Sequence, residues 1–434
     1  MYGSESLTIN TQGHLCIGGM DIAELAGQYG TPLYIMDEDG IRNACRAYRE
    51  AGRRFWGENF RTSYASKAFC TAAMYKILAE EGIYADVVSG GELYTAHRAG
   101  FDMSRICYHG NNKTPEELTE GLDYGIGRFV IDNIPEMRTL DSLCADRGVR
   151  ASILIRITPG VEAHTHEFIR TGQIDSKFGL AIETGAADEG IRAALECKNL
   201  DLMGLHCHIG SQIMETAPFE LAAQIMAKYI AHIRKDYGVE TRELDVGGGF
   251  GVRYVASDDP LPTETNISAL AAAMRKACAD ESIPEPTLMI EPGRSIVAPY
   301  GITVYTVGAV KTIPGYRTYV SVNGGMTDNP RYILYGAEYE FIVPDRANEP
   351  RTEVVTVAGR NCESGDLLGE NVKIQPVEVG DLLCTPTTGA YCYSMASNYN
   401  RVPRPAVVFV SQGKDRIVVR RETYEDLVNL DVLD

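Results

Sequence analysis

Phe60-Arg61-Thr62-Ser63-Tyr64-Ala65-Ser66 reads as a short apolar strand, Lys67 follows it, and Ala68-Phe69-Cys70-Thr71-Ala72-Ala73-Met74-Tyr75-Lys76-Ile77-Leu78 reads as a helix. The lysine stands on the lip between the two. Burial there would lower the pKa of its amine, and a neutral amine is a nucleophile able to hold an aldehyde as a Schiff base. A solvated loop lysine fits the same local pattern.

The pattern recurs. Short strands are expected at Thr62–Ser66, Ala85–Val88, Ile106–Tyr108, Arg128–Ile131, Ser152–Ile157, Leu202–Ile209, Leu244–Val246 and Leu288–Ile290. Helical periodicity falls between several of them, at Gly90–Ala99, Thr114–Asp123, Pro135–Arg147, Ala217–Asp236 and Asn266–Asp280. Strands buried on both faces and separated by helices imply parallel βα units. Their number and the length they span imply a closed (β/α)8 barrel, with an open doubly wound sheet as the alternative. Polar or glycine-rich clusters follow the strands. They are Lys67, Ser89 to Glu92, His109 to Lys113, Asp132-Asn133, Thr158 to Gly160 beside Arg156, His208 to Ser211, Gly247 to Gly249, and Glu291 to Arg294. In such barrels the C-terminal strand ends carry the active site.

After Ala298 the pattern changes to strands without long helices, at Ile302–Val310, Tyr316–Val322, Val354–Val357, Leu382–Cys384, Ala406–Val410 and Arg416–Arg420. The barrel has no use for the strand Thr31–Met36, which follows a helix over Asp21–Gly30. The expectation is a barrel over 37–298 and a β-rich domain built from 1–36 and 299–434.

Composition narrows the function. Hydrophobic residues make up 44% and charged residues 23%, and the net charge is −18, so nucleic acid and anionic membranes are poor partners. No apolar stretch reaches the length of a membrane span, and Met1 to Ser6 lacks the form of a signal peptide. Eleven cysteines without a C-x-x-C pair suggest reduced thiols in the cytoplasm and no structural zinc.

Gly247-Gly248-Gly249 can bring backbone N–H groups close to an anion, as a phosphate site or simply as a tight turn. Glu291 could face a cationic ring nitrogen, and Arg294 could grip a carboxylate or phosphate. His206 and His208 share a strand face, and His164 and His166 form a similar pair. Supporting ligands are missing at either spacing, so no metal is expected. His208 suits packing on a planar cofactor, and His206 reads as a core histidine. Cys362, with acids on both sides, is a poor thiolate but could be an acid as a thiol.

Lysine, phosphate cradle, acid and flat imidazole on one barrel face suit pyridoxal 5'-phosphate. The segments Tyr64 to Ala68, Asp86 to Glu92, His109 to Lys113, Asp175 to Gly179, His206 to Gln212, Gly247 to Gly251 and Glu291 to Arg294 carry a resemblance. So do Met326 to Arg331 with Tyr335-Gly336, Cys362 to Asp366, Gly389 to Tyr391 and Ser394 to Asn400. They resemble the alanine-racemase-like (fold type III) decarboxylases of basic amino acids, and within these the branch acting on meso-2,6-diaminopimelate. The resemblance implies that Lys67 binds the cofactor aldehyde, His208 stacks on its ring and Glu291 holds the ring nitrogen protonated. Ser211, Gly248, Gly249, Gly293 and Tyr391 would hold the phosphate, with Asp86, Pro292 and Arg294 also at the cofactor. Arg294, Arg331, Tyr335, Tyr391 and Glu363 would bind substrate, and Cys362 would donate the proton. Cys362 and Glu363 would come from the second subunit of a homodimer with shared active sites. Phe168 and Arg170 depart from the usual residues of a loop that helps set substrate choice. Related decarboxylases of ornithine, arginine or carboxynorspermidine are the nearest alternative. A racemase, or a non-catalytic relative, is more distant.

Overall fold

The computed structural model describes residues 4–161 and 176–432. His164, His166, Phe168, Arg170 and Asp175 lie outside them. The chain forms two compact units, Cys45–Gly251 with Pro260–Gly293, and Met1–Ala44 with Val252–Asp259 and Arg294–Asp434.

The first unit is the expected barrel. Its strands are β1 (Phe60–Ala65), β2 (Tyr84–Val87), β3 (Ile106–Tyr108), β4 (Arg128–Ile131), β5 (Ala151–Thr158), β6 (Leu200–His206), β7 (Glu243–Asp245) and β8 (Thr287–Ile290). Each pairs in parallel with the next, and β8 returns to β1 through Leu288–Ile290 against Phe60–Thr62, which closes the sheet. Apolar side chains drive the closure. Cys107, Val130, Leu154 and Met289 meet in one buried cluster with Met203 against it. Each large apolar side chain so buried contributes on the order of 1.5–3 kcal/mol. At the N-terminal strand ends, Glu243 accepts hydrogen bonds from Arg61 Nη1, Arg128 Nε and Arg128 Nη2, each at 2.7 Å.

Not every polar residue after a strand serves chemistry. Ser89, Thr114 and Asn133 are N-caps of helices Gly90–Arg98, Pro115–Tyr124 and Ile134–Arg147. Each side-chain oxygen accepts a backbone N–H that the first helical turn leaves unpaired. The run after Lys67 is also broken rather than one helix. Ser66–Ala68 forms a short 3-10 turn, Phe69 is extended, and the helix begins at Ala72 with Thr71 as its cap. Sequence periodicity passed over helices Glu38–Trp56 and Ala186–Glu196.

The second unit is β-rich, as expected. Its main sheet runs Leu367–Ile374, Glu353–Ala358, Arg317–Val322, Gly301–Ile313, Leu33–Asp37, Ala406–Ser411, Lys414–Val419, and Leu382–Thr385 also pairs with Gly301–Ile313. The N-terminal strand Leu33–Asp37 is central. It runs antiparallel to Gly301–Val304 and parallel to Ala406–Val410. Leu33, Ile35, Ile302, Val304 and Val408 fill its core together with Leu15 and Ile17 from a small three-stranded sheet.

Candidate active site

In the barrel unit the site centres on Glu291, directly after β8. Its Oε1 lies 2.7 Å from His109 Nε2 and its Oε2 lies 3.2 Å from His206 Nε2. All three side chains are buried. Burial alone would push the Glu291 carboxyl up, but the flanking imidazoles hold it well below the usual carboxylate range. Burial takes His206 down to about 4, so this ring is neutral at pH 7 and meets Glu291 as an N–H donor. Two further carboxyls, Asp86 and Asp245, are buried nearby. Burial raises both, and the Glu291 charge raises them further. Asp86 accepts from Ser66 N at 2.9 Å and Asp245 from Gly247 N at 2.8 Å. Of three close carboxyls, Glu291 alone is favoured as the anion, because like charges at short range do not all ionise.

His109 arrives on a braced loop. Lys113 Nζ is fully enclosed, pairs with Glu136 Oε1 at 2.9 Å and donates to the Gly110 and Val130 carbonyls at 2.8 and 2.9 Å. His109, His206 and Glu291 offer ligand atoms all within 4.8 Å of one another, a spacing open to a metal ion. His208 is not in that trio. Sequence reading gave His109 no role and took His206 for a core residue. Only spatial proximity to Glu291 distinguishes them.

The glycine loop is built for close approach. A Cβ on Gly248 would sit 2.0 Å from the Glu291 carbonyl oxygen, and one on Gly249 (φ +111) would sit 2.4 Å from that of Gly210. Backbone bonds Ile213 N to Gly249 O and Gly251 N to Ile213 O, both 2.9 Å, join this loop to the Gly210–Ile213 segment that carries Ser211. Gly248 N donates to His208 Nδ1 at 3.3 Å. Burial lowers the His208 pKa well below its ordinary value, and the Lys67 ammonium lowers it further. Lys67 is exposed, so of the two placements its local pattern allows the solvated one is found. The short turn Ser66–Ala68 lifts it clear of the strand into the barrel mouth, where its charge acts on Asp86, Glu92 and His208. Pro292 and Gly293 end the unit, and a Cβ on Gly293 would be 2.7 Å from that of Ala65.

The second unit carries the two arginines. Arg294 Nη1 donates to Tyr254 Oη at 2.6 Å, and its guanidinium lies 4.8 Å from the Tyr391 ring centre. Arg331 donates to Tyr339 Oη and lies 5.0 Å from the Tyr254 ring. Both arginines are buried, and among the described residues Arg331 meets no carboxylate. A buried guanidinium lacking a counter-charge favours an incoming anion. Tyr335 ends the short helix begun by Arg331 and is half-buried. Cys362 and Glu363 are exposed. Tyr254 and Tyr339 had no sequence signal beyond their aromaticity.

A family model described as "Pyridoxal-dependent decarboxylase, pyridoxal binding domain" matches residues 39–298. Diaminopimelate decarboxylase of Bacillus subtilis (strain 168) is 48% identical over 98% of this chain and 96% of its own. That of Synechocystis sp. is 43% identical over 98% and 92%. The crystal structure of diaminopimelate decarboxylase from M. jannaschii in co-complex with L-lysine has a TM-score of 0.93 and 36% identity, covering 100% of this chain and 99% of that one. Barrel, β-rich unit and family match together define a pyridoxal-dependent decarboxylase. More narrowly, the chain belongs to the diaminopimelate decarboxylase family.

Proposed function

We propose that this protein decarboxylates meso-2,6-diaminopimelate to L-lysine and carbon dioxide with pyridoxal 5'-phosphate as cofactor, the last step of lysine biosynthesis. The observation that carries the reading is a buried Glu291 held between His109 and His206 beside the glycine loop, on the C-terminal face of a closed barrel. These residues fit the cofactor. The loop leaves no room for side chains where backbone N–H groups must meet a phosphate, and the one carboxyl kept anionic suits a protonated ring nitrogen. The His109–His206–Glu291 trio then serves the ring rather than a metal.

In this reading Lys67 Nζ carries the cofactor aldehyde, and Ser211, Gly248, Gly249, Gly293 and Tyr391 hold its phosphate. His208 lies against the ring, with Asp86, Pro292 and Arg294 lining the same site. When bound, the cofactor supplies an acceptor for the electron pair released as the α-carboxylate leaves. Glu291 acts by fixed negative charge, which needs no rearrangement during the reaction. Arg294, Arg331 and Tyr335 bind substrate carboxylate, and Glu363 meets the distal amine. Cys362 donates the proton that completes the product. The exposure of Cys362 and Glu363 supports their serving a partner's site, which makes a homodimer with shared sites the working unit. L-Lysine in the M. jannaschii relative supports the product. Among the described residues no helix is long and apolar enough to cross a membrane. All eleven cysteines are free, which supports the cytoplasm.

The test is carbon dioxide release by the purified protein, with pyridoxal 5'-phosphate, from meso-diaminopimelate, ornithine and arginine. Turnover of meso-diaminopimelate is expected. Turnover of ornithine alone refutes the assignment.

A further inference from the structure

The loop from Asn361 to Asp366 has an unusual construction. Cys362, Glu363, Ser364 and Gly365 are all exposed, and the residues at either end, Asn361 and Asp366, are buried. One carboxylate ties both ends. Asp366 Oδ2 accepts from Asn361 N and Asn361 Nδ2, both at 2.7 Å, and Asp366 Oδ1 accepts from Met326 N at 2.6 Å. Met326 begins the segment that leads to Arg331. The carboxylate is enclosed by two glycines. A Cβ on Gly359 would lie 2.2 Å from Asp366 Oδ2, and one on Gly325 would lie 2.6 Å from Oδ1. Within the loop, Glu363 N donates to Asn361 O at 2.8 Å and Asp366 N to Glu363 O at 3.0 Å, and the exposed part is tied outward by Cys362 N donating to Asn400 Oδ1 at 2.7 Å.

We propose that Asp366 is a positioning residue that holds the Cys362–Glu363 loop in the conformation it presents to the partner subunit's active site, with Asn400 as its second support. The proposal rests on the shared-site reading above. Four exposed residues cannot be fixed by apolar packing, so their geometry depends on hydrogen bonds, and the bonds within the loop turn it while those to Asp366 and Asn400 anchor it to the rest of the unit. A proton donor displaced by even about 1 Å loses much of its rate. Asparagine at 366 keeps the shape but turns one acceptor into an N–H₂ that faces the Asn361 donors or Met326 N. Bonds to a charged acceptor are strong enough that the Asp366→Asn homodimer should lose roughly ten-fold to a hundred-fold in kcat, with KM raised as well because Glu363 rides on the same loop.

The test is made on mixed dimers, co-expressed with two affinity tags and purified through both. In a dimer of one Lys67→Ala chain and one Asp366→Asn chain, one site combines an intact Lys67 with an intact loop from the other chain. That dimer is expected to regain about half the wild-type activity per dimer, one site of two in a symmetric pair. A purely structural role would not be rescued this way, because the working site still sits in the Asp366→Asn chain. The control pairs Lys67→Ala with Cys362→Ala and is also expected at about half. If the control recovers and the Asp366→Asn dimer does not, the proposal is overturned and the shared-site reading stands. A silent control overturns both. A fully active Asp366→Asn homodimer also overturns the proposal. Should that variant not fold, Asn400→Ala takes its place in the same mixture, with recovery and non-recovery read in the same way.

Discussion

Replacing Glu243 by glutamine tests how the barrel is held together at the end away from its chemistry. The carboxylate is 3% exposed and joins β7 to β1 and β4 through three hydrogen bonds of 2.7 Å. Glutamine keeps one acceptor and sets an N–H₂ against an arginine donor. Removing one partner of a buried ion pair typically costs about 3–5 kcal/mol. Arg61 and Arg128 keep 29% and 20% of their side-chain surface, so water takes up part of the loss. We therefore expect about 2–3 kcal/mol, which lowers Tm by roughly 4–12 °C for a unit of this size. Burial alone would raise the Glu243 pKa, but Arg128 and then Arg61 bring it below the ordinary value. A depressed carboxylate pKa stabilises fully above the unfolded value of about 4.3, and that contribution is lost as pH falls through the folded value. Urea unfolding at pH 7 should separate wild type from Glu243→Gln, and the gap should shrink below about pH 4. A difference under about 0.5 kcal/mol at pH 7, the scale of an ordinary surface change, would refute the reasoning. So would a gap that widens in acid.

Gly248→Ala forces a Cβ to 2.0 Å from the Glu291 carbonyl oxygen, so the loop must move, and the protein should lose its visible cofactor absorbance on gel filtration while the wild type keeps it. Lys113→Met strands the buried Glu136 carboxylate and should cost about 3–5 kcal/mol by urea unfolding, and Lys113→Met/Glu136→Leu should recover most of it. Tyr254→Phe removes the hydroxyl that accepts from Arg294 Nη1 at 2.6 Å. It should raise KM about five- to ten-fold with kcat within about three-fold, as measured by initial rates.

Barrel strands such as Ile106–Tyr108, Arg128–Ile131 and Thr287–Ile290 could be read because each is a short, mostly apolar run, which needs no knowledge of the partner strand, whereas β7 is Glu243-Leu244-Asp245 and has only Leu244 to mark it. The helix Glu38–Trp56 was passed over because arginines and acids dominate it, although Ile41, Cys45, Tyr48 and Trp56 repeat at helical spacing on its buried side. Leu367–Ile374 was missed because polar Glu370, Asn371 and Lys373 break its apolar run. Within the site, Lys67, Glu291 and the glycine loop stand out as chemistry at strand ends. His109 does not, because its meaning depends on Glu291, far away in the chain and brought near only by barrel closure. Tyr254 and Tyr339 are the same case: a tyrosine becomes an arginine's support only once the fold sets the two together.

The strand Leu33–Asp37 lies between Gly301–Ile313 and Ala406–Ser411. On a ribosome this strand emerges early and has neither neighbour. Every strand of the barrel can be made and paired while it waits. The central seam of the β-rich unit closes only after Ser411 has left the exit tunnel, so the N-terminal segment spends most of synthesis with its backbone groups open to solvent or to chaperones. Long-range pairing of this kind is slow to form because a large loop must close first. Pulse-proteolysis of stalled nascent chains should therefore find the barrel protected at lengths where the first forty residues are still cleaved.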